Sequence, residues 1–221
     1  MRKENAQGIR PANKRKKTLD PRDPRDELLD AAIDLFARYG FEPVSTGAVA
    51  KAAGYTQSMV HYHFGSKLAL WQAAIDRLMR ERGVVLPITR LDLQDLDPLA
   101  RLKVIVRKFM SVNASDPNLT RILIHEGMVM SPRLRWIADR HMAAGYRMFD
   151  KAVTEAIEAK LIKPLSTVAI TNIIVSACTM SSSLNCLVDT VYDTDTSTPA
   201  FLQSFSDALI EILFRGLELR S

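Results

Sequence analysis

The sequence predicts an all-α chain, on three observations. Four segments open with a capping residue followed by proline: Asp97-Pro98, Asp116-Pro117, Ser131-Pro132 and Thr198-Pro199. A proline at the first helical position forfeits no hydrogen bond, and the side-chain oxygen before it satisfies a free backbone N–H. No run of four to eight residues alternates as a half-buried strand does, and no Asn-Gly or Asp-Gly hairpin signal occurs. Apolar residues instead recur at three- and four-residue steps.

The helices expected are 25–39, 45–53, 57–63, 66–85, 98–114, 117–129, 132–160, 167–191 and 199–218. The first carries Leu28, Ala32, Leu35, Phe36 and Tyr39 on one face and ends at Gly40, a suitable left-handed cap. Ser45 can cap the second, whose inward face is Val49, Ala52 and Ala53. Gly54 then permits a reversal, and Thr56 can cap the third. Two short helices joined at a sharp angle through a glycine describe a helix-turn-helix, with small residues at Ala50 and Ala53 allowing close approach.

The third helix is the informative one. Val60 and Phe64 point inward, while Gln57, Ser58, Met59, His61, Tyr62 and His63 cover the remainder. Burial alone does not explain so polar a helix. Gln can bond an adenine edge, Met can touch a thymine methyl, and Tyr and His can reach phosphates, so the set suits a major groove. The helix N-terminus adds a favourable dipole toward an anionic backbone. The alternative is a surface helix with incidental histidines. His61 and His63 diverge by about 200° around the helix and share no face, so no metal site is expected. No cofactor is expected either.

Composition, at 47% hydrophobic and 25% charged, is that of a globular chain. The net charge of +5 is unevenly placed. Residues 1–26 hold nine basic side chains against four acidic ones, and the other 195 residues sum to zero. A basic arm, 1–24, would meet an anionic partner first. Cys178 and Cys186 lie eight apart on an expected helix, about 12 Å of rise, beyond the roughly 7 Å a disulfide spans. Met1–Arg10 lacks the apolar core of a signal peptide, and a cytoplasmic location is expected. The uncharged stretch 165–188 resembles a membrane span, but ten of its twenty-four residues are Ser, Thr or Asn, which favours burial in protein. An enzyme is disfavoured: there is no Glu-x-x-His pair, HExxH, phosphate loop or nucleophile elbow.

Residues 28–75, from LLDAAIDLFARYG through TGAVAKAAGYTQSMVHYHFGSKLAL, resemble the DNA-binding headpiece of the TetR family of one-component transcriptional regulators. The likeness lies in Ala32, Leu35, Phe36 and Gly40 of the first helix, Ala53-Gly54 at the turn, and His63-Phe64, Ser66-Lys67 and Leu70. It implies that Gln57, Met59 and Tyr62 meet bases and phosphates, and that Ser45 and Lys67 contact phosphate. With Thr46, Thr56, Ser58, His61 and His63 these form the expected DNA-facing set. His61 stands where the family most often has tyrosine. From Glu27 to Lys67 three basic residues face four acidic ones, a net −1, so the basic arm is expected to supplement DNA binding.

The domains expected are the arm 1–24, the headpiece 25–75 and a body 76–221 for ligand binding and dimerisation. Along 167–191, Ile170, Ile173, Ile174, Ala177, Ser181, Leu184, Val188 and Val191 form a seam, and the last helix presents Phe201, Phe205, Ala208, Leu209, Ile212 and Leu213. No Lys or Arg occurs from Pro164 to Phe214. A homodimer four-helix bundle would bury both sides, through Ile170, Ile174, Ala177, Ser181, Leu184, Phe205, Leu209 and Ile212; the alternative is a hairpin covered by the same chain. The resemblance places an effector cavity among helices carrying Phe109, Met110, Asn113, His125, Met128, Trp136, Tyr146, Phe149 and Asn185. The function it implies is a sequence-specific regulator, a repressor released from a palindromic operator by a small molecule. The alternative is a ligand-binding or structural dimer without DNA recognition.

Overall fold

The computed structural model describes residues 23–85, 93 and 95–218. The expected basic arm, apart from its last residues, lies outside the described residues. The elements are α1 (Pro24–Tyr39), α2 (Thr46–Ala52), α3 (Gln57–Phe64), α4 (Lys67–Val85), α5 (Pro98–Ser115), α6 (Asn118–Gly127), α7 (Pro132–Ile137), a π-helical turn (Ala138–Met142), α8 (Ala143–Glu158), α9 (Thr167–Ser183), α10 (Asn185–Tyr192) and α11 (Pro199–Leu217). Among the described residues there is no strand, only an isolated bridge between Ile162 and Glu218.

The proline-flanked starts form as their chemistry dictates. The Asp97 carboxylate accepts from the N–H groups of Leu99 and Ala100, Ser131 Oγ from Leu134, and Thr198 Oγ1 from Phe201. Asp116 accepts from Asn118 N at 2.9 Å. Gly40 takes φ +76° at the end of α1, its N–H donating to Phe36 O at 3.0 Å.

Two expected helices are interrupted. The expected 132–160 helix contains the π turn, where the Ala143 N–H reaches back to Ala138 O. The expected 167–191 helix breaks at Leu184 (φ −105°, ψ 18°), and Thr167–Ser181 and Asn185–Tyr192 run 63° apart. Hydroxyls crowd the break: Thr179 Oγ1 donates to Val175 O at 2.8 Å, Ser181 Oγ to Cys178 O at 3.2 Å and Ser183 Oγ to Thr179 O at 3.0 Å. Such side chains compete with the backbone for its own acceptors and weaken a helix end. Among the described residues no single helix is long and apolar enough to cross a membrane.

Two apolar clusters hold the chain. The first unites α1 to α4 through Leu28, Phe36, Val49, Val60, Leu70 and Trp71, and it takes in Leu119 and Ile122 of α6 and Ile137 of α7. The headpiece is therefore packed directly on the body. The second joins α5, α8, α9 and α11 through Leu102, Val106, Phe149, Val153, Ile174, Cys178 and Phe214.

Three expected faces are corrected. Tyr39 is 56% exposed, while Leu29 and Ile33 are buried in its place, because the buried face of α1 runs along 28, 29, 32, 33 and 36. Ala52 is exposed and Ala50 buried beside Val49, so the buried face of α2 is turned toward Thr46 and Ala50. Ile170 and Ile174, expected at a dimer seam, are 2% and 0% exposed within the protomer's own second cluster. The inward side of α9 is covered by α5 and α8, so neither residue is left for a partner.

Candidate nucleic-acid interface and ligand cavity

Ser45 Oγ accepts from Ala48 N at 3.0 Å and starts α2. The turn after it depends on Gly54 at φ +78°, and Tyr55 N donates to Ala50 O at 2.8 Å. Tyr55 is a residue the sequence reading missed. Its hydroxyl donates to Glu27 Oε2 at 2.7 Å, tying the turn to α1, and that bond raises the phenol pKa above its ordinary value. Its aromatic position beside a glycine was the available signal.

From this base α3 projects with a single buried residue, Val60, 1% exposed. Gln57, Ser58, His61 and Tyr62 are exposed, Tyr62 by 82%. Their polar ends are partly engaged. Gln57 Nε2 donates to Thr46 Oγ1 at 3.1 Å, Thr56 Oγ1 and Ser58 Oγ share a bond of 2.8 Å, and His61 Nδ1 lies 3.2 Å from Gly65 O. His63 is half-buried edge-on to Tyr62, with ring centroids 5.0 Å apart.

Several expected contacts are repositioned. Thr46 is buried and serves as acceptor for Gln57, so its hydroxyl is held inside the headpiece. Thr56 makes no capping bond, because its hydroxyl is turned to Ser58. Met59 is partly buried against the first cluster. Lys67 Nζ donates to Glu42 O at 3.0 Å and sits 4.2 Å above the Phe41 ring, so the α1–α2 loop holds it.

The expected ligand residues divide among three places. Phe109, Asn113, Tyr146 and Phe149 line one cavity of about 300 Å³, enclosed by α4, α5, α6, the π turn, α8 and α9. Met110 and Asn185 line another of about 650 Å³ between α5 and the start of α11. His125, Met128 and Trp136 line neither. His125 lies against the Gly40 turn, Met128 is 75% exposed, and Trp136 packs on Trp71 with centroids 5.8 Å apart.

The polar lining of the smaller cavity includes two basic residues that sequence periodicity does not single out. Arg82, from α4, donates to Asn113 Oδ1 and to Asp116 O, the latter at 3.2 Å. Burial pushes its guanidinium below the ordinary arginine value, against the pull of the Asp116 charge. On an amphipathic helix an arginine reads as a solvent residue, so the sequence carries no signal of this contact. His141 enters through the π turn, its Nε2 lying 2.9 Å from Asp76 Oδ1. Burial holds the imidazole below its ordinary value despite that carboxylate. Asp76 is itself claimed by Arg140 at 2.9 and 3.3 Å, contacts that outweigh its burial and lower its pKa.

Residues 28–74 match the family model described as bacterial regulatory proteins, tetR family. The chain is 28% identical over 107 residues to the HTH-type transcriptional regulator RutR of Escherichia coli K12, covering 48% of this chain and 49% of RutR. It is 28% identical over 119 residues to the nucleoid occlusion factor SlmA of Aliivibrio fischeri, covering 52% of this chain and 60% of SlmA. The chain thus spans about half the length of the curated relatives it matches. Among solved structures, the ketosteroid transcriptional regulator KstR2 of Mycobacterium tuberculosis superposes with a TM-score of 0.65 at 20% identity, over 91% of this chain and 98% of that one. AibR, solved with isovaleryl coenzyme A and operator DNA, gives 0.69 at 17% identity, over 87% and 98%. These likenesses establish a shared fold, with a helix-turn-helix headpiece and a helical body.

Proposed function

Residues 28–74 belong to the tetR family of bacterial regulatory proteins, and from that premise we propose that the whole chain is a transcriptional repressor released from a palindromic operator by a small-molecule effector. One observation carries the reading. Folding uses a single fully buried side chain of α3, Val60, and leaves Gln57, Ser58, His61 and Tyr62 on one open surface. Helices equipped in this way lie in a major groove, where Gln reads adenine and tyrosine reaches phosphate.

Two copies are needed to meet two half-sites. The apolar residues that the protomer leaves exposed on its last helices, Val168, Ile173, Leu184, Leu187 and Ile212, supply a surface for a second copy. Of the expected seam, Leu184 and Ile212 lie on that surface, Ala177, Ser181, Phe205 and Leu209 are half-buried, and Ile170 and Ile174 are withdrawn.

Release is a coupling of equilibria. The smaller cavity touches Met79 and Arg82 of α4, the helix that begins at Lys67 beside the recognition surface. A molecule that binds one α4 position better shifts the headpiece spacing toward it. A cytoplasmic location goes with this reading, and the basic arm enters it on charge alone.

The test is gel retardation of the chain's own promoter fragment. Wild type retards it, Gln57→Ala relaxes sequence preference, and deletion of residues 1–19 lowers the slope of log K against log salt. Failure of wild type to retard that fragment or any selected duplex refutes the reading and leaves a ligand-binding dimer without DNA recognition.

A further inference from the structure

The cavity beneath α4 is mostly apolar, with Arg82, Asn113, Thr120, His141, Ser176 and Thr179 among its polar lining. Phe109, Tyr146 and Phe149 supply its aromatic wall. Arg82, partly buried, adds a guanidinium that donates to two neutral oxygens, Asn113 Oδ1 and the carbonyl of Asp116. Among the described residues no carboxylate forms a salt bridge with it, although the Asp116 charge attracts it. Asp76, beside His141 of the lining, is engaged by Arg140.

Asn113 gives an independent sign. The residue is 1% exposed, and Arg82 and Thr120 both donate to its Oδ1, Thr120 at 3.3 Å. That fixes the amide with Nδ2 turned away from them. Nδ2 is buried and has no hydrogen-bond partner. A buried donor left unpaired is destabilising, and a partly buried guanidinium with no bonded carboxylate can still take one. One anionic acceptor would satisfy both groups.

We propose that this cavity takes an amphipathic carboxylate, an acyl or aryl body ending in a carboxyl group that accepts from Arg82 and from Asn113 Nδ2–H. A volume of about 300 Å³ holds about ten water volumes at ~30 Å³ each, which suits a small acid and excludes a bulky one. Arg82 lies on the helix that continues into the headpiece, so the carboxylate would pull on α4 directly. The inference rests on this cavity being the effector site.

Isothermal titration calorimetry of the full chain tests it, with octanoate and 3-phenylpropanoate compared against octanamide and 3-phenylpropanamide. Each acid should bind at least about tenfold tighter than its amide, the size of a lost charge-assisted bond. Arg82→Gln should bring acid and amide within about threefold of each other. Asn113→Asp, which sets an internal carboxylate beside Arg82, should also abolish acid preference while keeping or raising the melting temperature. That second variant decides the matter if Arg82→Gln fails to fold. Equal binding of acid and amide by wild type, no saturation by either acid at millimolar concentration, or acid preference surviving both variants overturns the proposal. Retardation gels separate it from the effector reading. Acids that bind through Arg82 without releasing DNA uphold the carboxylate site and refute release from this cavity. Release by the amides as readily as by the acids upholds an effector cavity and refutes the carboxylate assignment.

Discussion

Replacing Tyr62 by alanine should separate folding from recognition. The side chain is 82% exposed, and among the described residues its ring contacts His63 alone, at 5.0 Å. Its loss should therefore change stability by no more than about 0.5 kcal/mol, the range of surface substitutions. If its hydroxyl donates to a phosphate, the bond is charge-assisted and worth about 1.5–3 kcal/mol. At about 1.4 kcal/mol per decade, that is roughly 10- to 150-fold in affinity per protomer. Val60→Ala is the converse control. Val60 is 1% exposed, and removing two methyl groups costs about 1.6 kcal/mol of transfer free energy plus a cavity term, about 1.5–2.5 kcal/mol in all. Urea unfolding gives the stabilities, and fluorescence anisotropy with a selected duplex gives the affinities. Tyr62→Phe keeps the ring and should lose most of what Tyr62→Ala loses. Tyr62→Ala binding DNA within twofold of wild type, or unfolding with the valine variant, would refute the reasoning.

Other consequences follow from burial. Ile212→Glu, at a residue 73% exposed, should give a folded monomer by light scattering, whereas Ile174→Glu puts a charge at a 0% exposed position and should lose its helical circular dichroism. A native chain should label with thiol reagent at Cys186 and not at Cys178, whose burial pushes its pKa to about 12; two equivalents in the native state would contradict this. His141 has a depressed pKa in the fold, so below its unfolded value near 6.5 only the unfolded chain gains the proton. Stability is full above that pH and falls as pH drops from there toward the lower folded-state value, and His141→Gln should flatten that slope; an unchanged slope would remove His141 from the acid response. Asp76, also depressed, adds a loss at lower pH, as acid drops through its folded value.

Much of this was legible because local chemistry was unambiguous. The caps at Asp97, Ser131 and Thr198, the Gly54 turn, the sparse apolar face of α3 and the Ser45 cap all follow from a few neighbouring residues. What escaped depended on distant partners. Periodicity shows that α9 has an apolar seam, but not whether its own chain or another covers it; α5 and α8 decide that for Ile170 and Ile174. Apolar spacing continues through Leu184, while the break comes from hydroxyls bonding back to carbonyls. Within the recognition surface, sequence gave residue types but not their prior engagements. Thr46 is spent on Gln57, and Lys67 on Glu42. Arg82 was invisible because nothing near it in sequence says that α5 and α6 close over it.

The central claim is that the open face of α3 reads DNA as part of a two-fold dimer. Selection of random duplexes by the full chain, followed by footprinting of the enriched sequences, tests it most directly. The account predicts an inverted repeat whose half-site centres lie about 10 base pairs apart, or a multiple of that, protected by wild type and lost with Tyr62→Ala. Enrichment of no common sequence, or an identical footprint from Tyr62→Ala, would contradict it.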